Sequence, residues 1–171
     1  MQEREWRDTF RTFWSRFYFV RPDLDLYQQS SFDVSTCIPI AFHGDEGRGK
    51  LRRAIMILSM QPIISHKGPK YTNMSGHSFT SRLLYTVVPA QMYASNTIDK
   101  LNEAMAADVR SAYFDGISVT HAGKELTFRL VPIMIKGDWP FLRLAMSLSA
   151  GYNCNRKCHL CEGQVGSSIA I

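Results

Sequence analysis

Cys37-Ile38-Pro39-Ile40-Ala41-Phe42-His43-Gly44-Asp45-Glu46-Gly47 is the stretch on which the fold turns. Six mostly apolar residues read as a strand from Cys37 to Phe42, and Gly44-Asp45 reads as its end. A second segment, far along the chain, repeats the arrangement. The apolar run Leu126 to Ile135 is followed by Lys136-Gly137-Asp138-Trp139-Pro140, so a carboxylate again stands just past a strand. Both acids also have plain local explanations. Gly-Asp-Glu-Gly is good turn chemistry for Asp45, and Asp138 before Trp139-Pro140 suits the N-cap of a short helix.

The remaining elements follow from periodicity. Trp6, Phe10, Phe13, Trp14 and Phe17 fall at helical spacing over residues 3–19, with Arg and Glu between them, which predicts an amphipathic helix packing its aromatic face inward. Residues 22–35 are polar and turn-like. Arg53–Met60 and Phe79–Val88 are strand candidates, separated by a Gly- and Pro-containing loop over His66–Gly76. Thr97 is the expected N-cap of a helix burying Ile98, Leu101, Met105, Val109 and Ala112 and stopped by Asp115-Gly116. A hairpin pairs Ile117–Thr120 with Leu126–Ile135 through a turn at Ala122-Gly123-Lys124, and a short helix runs from Trp139 to about Leu148. Three strands, a crossover helix and a further strand place that last strand beside the first. Asp45 and Asp138 then meet at one edge of the sheet. The expected class is α+β with a ribonuclease-H-like core, divided into an N-terminal helix and connector (1–35), the core (36–150) and a cysteine-bearing tail (151–171).

Composition is consistent with one globular chain. The 171 residues are 45% hydrophobic and 20% charged, with 20 Lys and Arg against 15 Asp and Glu, a formal charge of +5. A basic balance favours polyanionic partners. The positive charge is clustered: Arg48, Lys50, Arg52 and Arg53 follow the first acid, His66, Lys67 and Lys70 lie mid-chain, and Arg156 and Lys157 lie among the cysteines. The first and last clusters are the candidate DNA contacts, made to phosphates by charge rather than to bases. No apolar run reaches the roughly 18 residues of a membrane helix, and the N-terminus, which mixes Glu3, Glu5 and Asp8 with arginines, resembles no export signal, which points to a soluble intracellular protein without a membrane partner.

Two carboxylates at neighbouring strand ends can hold divalent cations at a phosphodiester, and magnesium or manganese suits such oxygen ligands. Cys154, Cys158, His159 and Cys161 are the candidate zinc ligands. Cys158-x-x-Cys161 has the spacing to grip one ion, with Cys154 or His159 as a third donor and His121 or His77 as distant possibilities for a fourth. Cys37, within a strand, reads as a small buried hydrophobe. Gly44 to Lys50 has the spacing of a phosphate-binding loop, but Leu51 stands where that loop needs Ser or Thr, and a strand rather than a helix follows.

Asp138-Trp139-Pro140 after an apolar strand, then Gly151-Tyr152 and Cys158-His159-Leu160-Cys161, resembles the transposases of CACTA (En/Spm-type) elements. Tyr113-Phe114-Asp115-Gly116-Ile117 occupies the place of that family's helix-to-strand turn, and His43-Gly44-Asp45-Glu46-Gly47 is the nearest match to its first acidic turn. The resemblance spans roughly residues 37–161. It implies a ribonuclease-H-like DDE core with Asp45 and Asp138 as the first two acids, magnesium- or manganese-dependent DNA cleavage and strand transfer, a partial zinc knuckle and a nuclear location. The third acid of the family has no counterpart before Ile171, which implies a fragment inactive by itself. The alternative is a non-catalytic zinc-containing module that binds nucleic acid or protein.

Overall fold

The computed structural model describes residues 3–48, 54–64 and 82–149. They form an α+β fold. Helix α1 (Glu3–Phe17) is followed by two 3₁₀ turns (Asp25–Tyr27 and Val34–Thr36), strands β1 (Cys37–Arg48), β2 (Ala54–Pro62) and β3 (Leu83–Pro89), and a third 3₁₀ turn (Ala90–Met92). Helix α2 (Thr97–Phe114), the hairpin β4 (Ile117–His121) and β5 (Lys124–Gly137), and helix α3 (Trp139–Ala145) complete the order. The strands form one sheet in the order β3-β2-β1-β5-β4, so β5 does lie beside β1. No described helix is long and apolar enough to cross a membrane.

The chain divides into two compact units, each assembled from three stretches. The first comprises Met1–Ala41, Met60–Leu83 and Ala106–Met134; the second comprises Phe42–Ser59, Leu84–Met105 and Ile135–Ile171. In the first unit the aromatic face of α1 is inward, as its periodicity predicts. Trp14, 1% exposed, packs with Leu26, Cys37 and Val131, and Phe10, Phe13, Phe17 and Tyr113 surround them. The indole nitrogen of Trp14 donates to the Cys37 carbonyl at 2.8 Å, which satisfies its polar atom inside the core. Residues 22–35 are more than a polar connector. Leu26 and Ser35 are buried, Tyr113 donates to Asp25 at 2.9 Å, and Arg7 donates to Asp33 at 2.9 Å and to Ser35 at 2.8 Å. Cys37 is fully buried, and desolvation pushes its thiol up to about 11.

In the second unit Met56, Leu58, Ile98 and Phe141 form a core flanked by Tyr85, Val88, Leu101 and Leu142. Met56 and Leu58 alternate with exposed Ile57 along β2, the period-two pattern of a half-buried strand. The inward stripe expected of α2 is also found: Ile98 is buried and Leu101 and Met105 half-buried in this unit, and Val109 is buried and Ala112 half-buried in the first.

Several boundaries differ from expectation. β1 does not stop at Gly44-Asp45 but runs on to Arg48, because pairing with β2 and β5 gives its backbone groups partners that a turn would not. It holds a central place despite Pro39, whose carbonyl accepts from the Ile63 amide at 2.9 Å. α1 ends at Phe17, ahead of Arg21-Pro22. Asn96, not Thr97, precedes α2: its carbonyl takes the first helical bond from the Lys100 amide at 3.0 Å, and the Thr97 hydroxyl accepts from the Ala94 amide at 2.7 Å. The hairpin loop is only two residues, Ala122 (φ 49°) and Gly123 (φ 75°), with His121 paired to Lys124. Both positive φ values match a type I′ turn. α3 ends at Ala145, where Ser147 (φ 50°) is left-handed and the Leu148 amide donates back to the Arg143 carbonyl at 2.9 Å.

Candidate active site on β1 and β5

β1 and β5 carry a pair of glycines that lie against each other in the second unit. A Cβ built on Gly137 would lie 2.6 Å from the Gly44 carbonyl oxygen and 2.6 Å from the Phe141 ring, and one on Gly44 would lie 1.9 Å from that ring. No side chain larger than hydrogen fits at Gly44 without displacing the phenyl group. The residue after each glycine is an acid, Asp45 within β1 and Asp138 just past β5, and both are exposed. The expected neighbouring of β1 and β5 is found. Its detail needs correction, since Asp45 lies within β1 rather than past its end.

The acidic pair Asp45-Glu46 is split by the pleat. Side chains alternate along a strand, so Glu46 returns to the face of Gly44 and Phe141 and Asp45 leaves on the other. On the Glu46 side, burial first and the Glu46 charge second hold the Tyr93 hydroxyl above its ordinary value, against an opposing backbone contact at Met56.

Asp138 has a structural task. Its backbone is extended (φ −68°, ψ 165°), and its carboxylate accepts from the Phe141 amide at 2.9 Å, capping α3 with Pro140 in the first turn. The same bond fixes the helix start that presents Phe141 to the two glycines. Asn102 of α2 holds the other end, donating to the Ala145 carbonyl at 3.3 Å.

Exposed carboxylates suit a hard cation such as magnesium in donor type. Among the described residues no group of three or more His, Cys, Asp or Glu is arranged to hold a metal ion. The expected zinc ligands Cys154, Cys158, His159 and Cys161, and the DNA contacts Lys50, Arg52, Arg53, Arg156 and Lys157, lie outside the described residues, as does His77. Arg48 is the last described residue of β1. His121 is exposed on β4 in the first unit, so it belongs to the other unit from Asp45 and Asp138. The phosphate-loop spacing does not give a loop as far as Arg48, since Gly44–Arg48 is strand.

Sequence reasoning missed the role of Phe141. The signal was present as two glycines, each directly before an acid, with an aromatic residue three positions after the second acid.

Comparison with protein-family models, curated proteins and solved structures finds no match to this chain.

Proposed function

We propose that this chain is a transposase-type module with a ribonuclease-H-like core, in which Asp45 and Asp138 together hold a divalent cation, magnesium or manganese, at a DNA phosphodiester. The observation that carries the reading is the close approach of Gly44 on β1 and Gly137 at the end of β5, each followed directly by an acid. The element order supports it: α2 follows β3 and leads through a hairpin into β5, which pairs beside β1. When bound, the cation would activate a water and stabilise the leaving oxygen. Asp45 and Asp138 would hold it, and Arg48 with Lys50, Arg52, Arg53, Arg156 and Lys157 would draw the DNA backbone in by charge. A zinc ion on Cys154, Cys158, His159 and Cys161 and a nuclear location belong to the same proposal.

Manganese titration followed by electron paramagnetic resonance tests it. Asp45→Asn and Asp138→Asn are each expected to weaken manganese binding at least about tenfold, as losing one of two charged ligands should. Asn still caps α3, so the Asp138 variant removes charge without removing the cap. Wild-type manganese affinity in both variants sinks the proposal.

One contact favours the second reading, a non-catalytic nucleic-acid- or protein-binding module. The bond from the Phe141 amide already accounts for an acid at position 138. Under that reading the Asn variants bind manganese and DNA as wild type does, whereas Arg48→Ala and Arg52→Ala lower DNA affinity.

A further inference from the structure

β4 stands at one edge of the sheet among the described strands, and all five of its residues are exposed. Its sequence, Ile117-Ser118-Val119-Thr120-His121, holds no Asp, Glu, Lys, Arg or Pro, the residues by which an edge ordinarily turns a second strand away. The hairpin fixes which backbone groups face outward. His121 pairs with Lys124 across the two-residue loop, and residues in those positions of the turn bond to each other. Bonding alternates along an antiparallel ladder, so Ile117, Val119 and His121 direct their N–H and C=O groups to Phe128, Leu126 and Lys124 of β5. Ser118 and Thr120 direct theirs away from the sheet. All of these residues belong to the first unit.

These outward groups match a second copy of the same strand. In an antiparallel pair centred on Val119, Ser118 stands opposite Thr120 of the other copy, and Thr120 opposite its Ser118. Each pair exchanges both N–H···O bonds, and no outward backbone group of β4 is left over. Other centres fit worse. Centring on Ser118 sets Thr120 against Gly116, whose amide already donates to the Ser111 carbonyl at 3.2 Å. Centring on Thr120 sets Ser118 against Ala122, which lies in the loop with φ 49°. Side chains agree with the Val119 centre. Within the hairpin the Ser118 and Thr127 hydroxyls stand 3.4 Å apart. Across the new seam hydroxyl again faces hydroxyl, and Val119 faces Val119 in the non-hydrogen-bonded position, where side chains lie closest. Charge is complementary too. The antiparallel direction brings exposed Asp115, at the entrance to β4, towards the turn of the other copy, where Lys124 is exposed.

We propose that β4 is a self-association surface, through which two copies of this chain pair antiparallel about a two-fold axis at Val119. Each copy gives the same strand, so the contact closes at two. The seam is short, and its dissociation constant is accordingly on the order of 10 μM, that of a small interface. The inference is independent of the reading of Asp45 and Asp138.

Sedimentation velocity on the full chain, from about 1 to about 100 μM, brackets that constant and is expected to show monomer passing to dimer. Val119→Lys sets two ammonium groups against each other on the axis and is expected to weaken the dimer at least about tenfold. Val119→Glu is expected to do the same alone. An equimolar mixture of the two is expected to restore the dimer, because residue 119 meets only its own counterpart. Val119 is 44% exposed, so neither charge enters the core. Thr120→Pro serves as a second probe: it removes an outward N–H from each copy, leaves the β4–β5 bonds in place, and is expected to weaken the dimer likewise. A wild-type chain that stays monomeric throughout overturns the inference and leaves this edge to an extended segment of a different protein. A dimer that Val119→Lys and Thr120→Pro both leave intact also overturns it, since the seam then lies elsewhere. So does a mixture of the Lys and Glu variants that remains monomeric while each variant is folded by circular dichroism, since Val119 is then not on the axis.

Discussion

Asp138 is a residue with two assignments that chemistry can separate. As an N-cap it needs an oxygen acceptor for the Phe141 amide, which Asn provides almost as well as Asp. As a metal ligand it needs its charge. Asp138→Ala is therefore expected to lower stability by about 1 kcal/mol, and Asp138→Asn by a few tenths at most, both read from urea denaturation. Equal losses in the two variants would mean that the carboxylate charge, rather than the cap, stabilises this end of α3. Both local explanations of the acids were open to the sequence, and the structure treats them differently. The turn chemistry of Gly44-Asp45-Glu46-Gly47 yields to strand pairing, whereas the helix start at Asp138-Trp139-Pro140 forms as its residue types dictate. A cap needs only neighbours in sequence; a strand needs partners that the local sequence does not name.

Among the elements, α2 shows how a helix is finished from outside its own sequence. Its last turn holds no basic side chain, and the guanidinium of Arg129 on β5 supplies the missing charge. Arg129 donates to the Tyr113 carbonyl at 2.8 Å and also to that of Phe114, and it lies 4.0 Å over the Phe32 ring. Gly116 (φ 81°) turns the chain there, and a Cβ would lie 2.5 Å from the Thr127 side chain. Arg129→Met keeps the stem and loses the bonds, so a cost of about 1.5–3 kcal/mol in urea melts is expected, the range for hydrogen bonds from a charged donor. Loss of less than about 0.5 kcal/mol, the level of an ordinary surface change, shows that water replaces the guanidinium. The stop of α2 at Asp115-Gly116 was legible because glycine marks it. The cap was not, since Arg129 lies sixteen residues beyond Tyr113 and reaches it only through the β4–β5 hairpin.

For the whole molecule, pH dependence brackets the stable range from both sides. Burial alone would raise the Asp33 carboxyl, but bonds from Ser35 and the charges of Arg7 and Arg11 outweigh it and hold the group below its usual 3.8. That contribution is complete above pH 3.8 and is lost as pH falls through the lower folded value. Cys37 works in the opposite sense: its thiol, ordinarily near 9.0, is pushed up to about 11 by burial, so stability is expected to fall as pH rises from 9 towards 11. Thermal melts across pH should show both flanks, and Cys37→Ala should flatten the alkaline one; an unchanged alkaline slope rules out the thiol as its source. The sequence by itself determined the α+β class, the inward faces of α1 and α2, the hairpin and the burial of Cys37, because periodicity, glycine and turn chemistry act over a few residues. Only the tertiary structure decided that β1 continues through Asp45, that Asp45 and Glu46 leave on opposite faces, and that Phe141 closes over Gly44 and Gly137. These depend on strand pairing and on a ring packed from nearly a hundred residues away, contacts that no local pattern encodes.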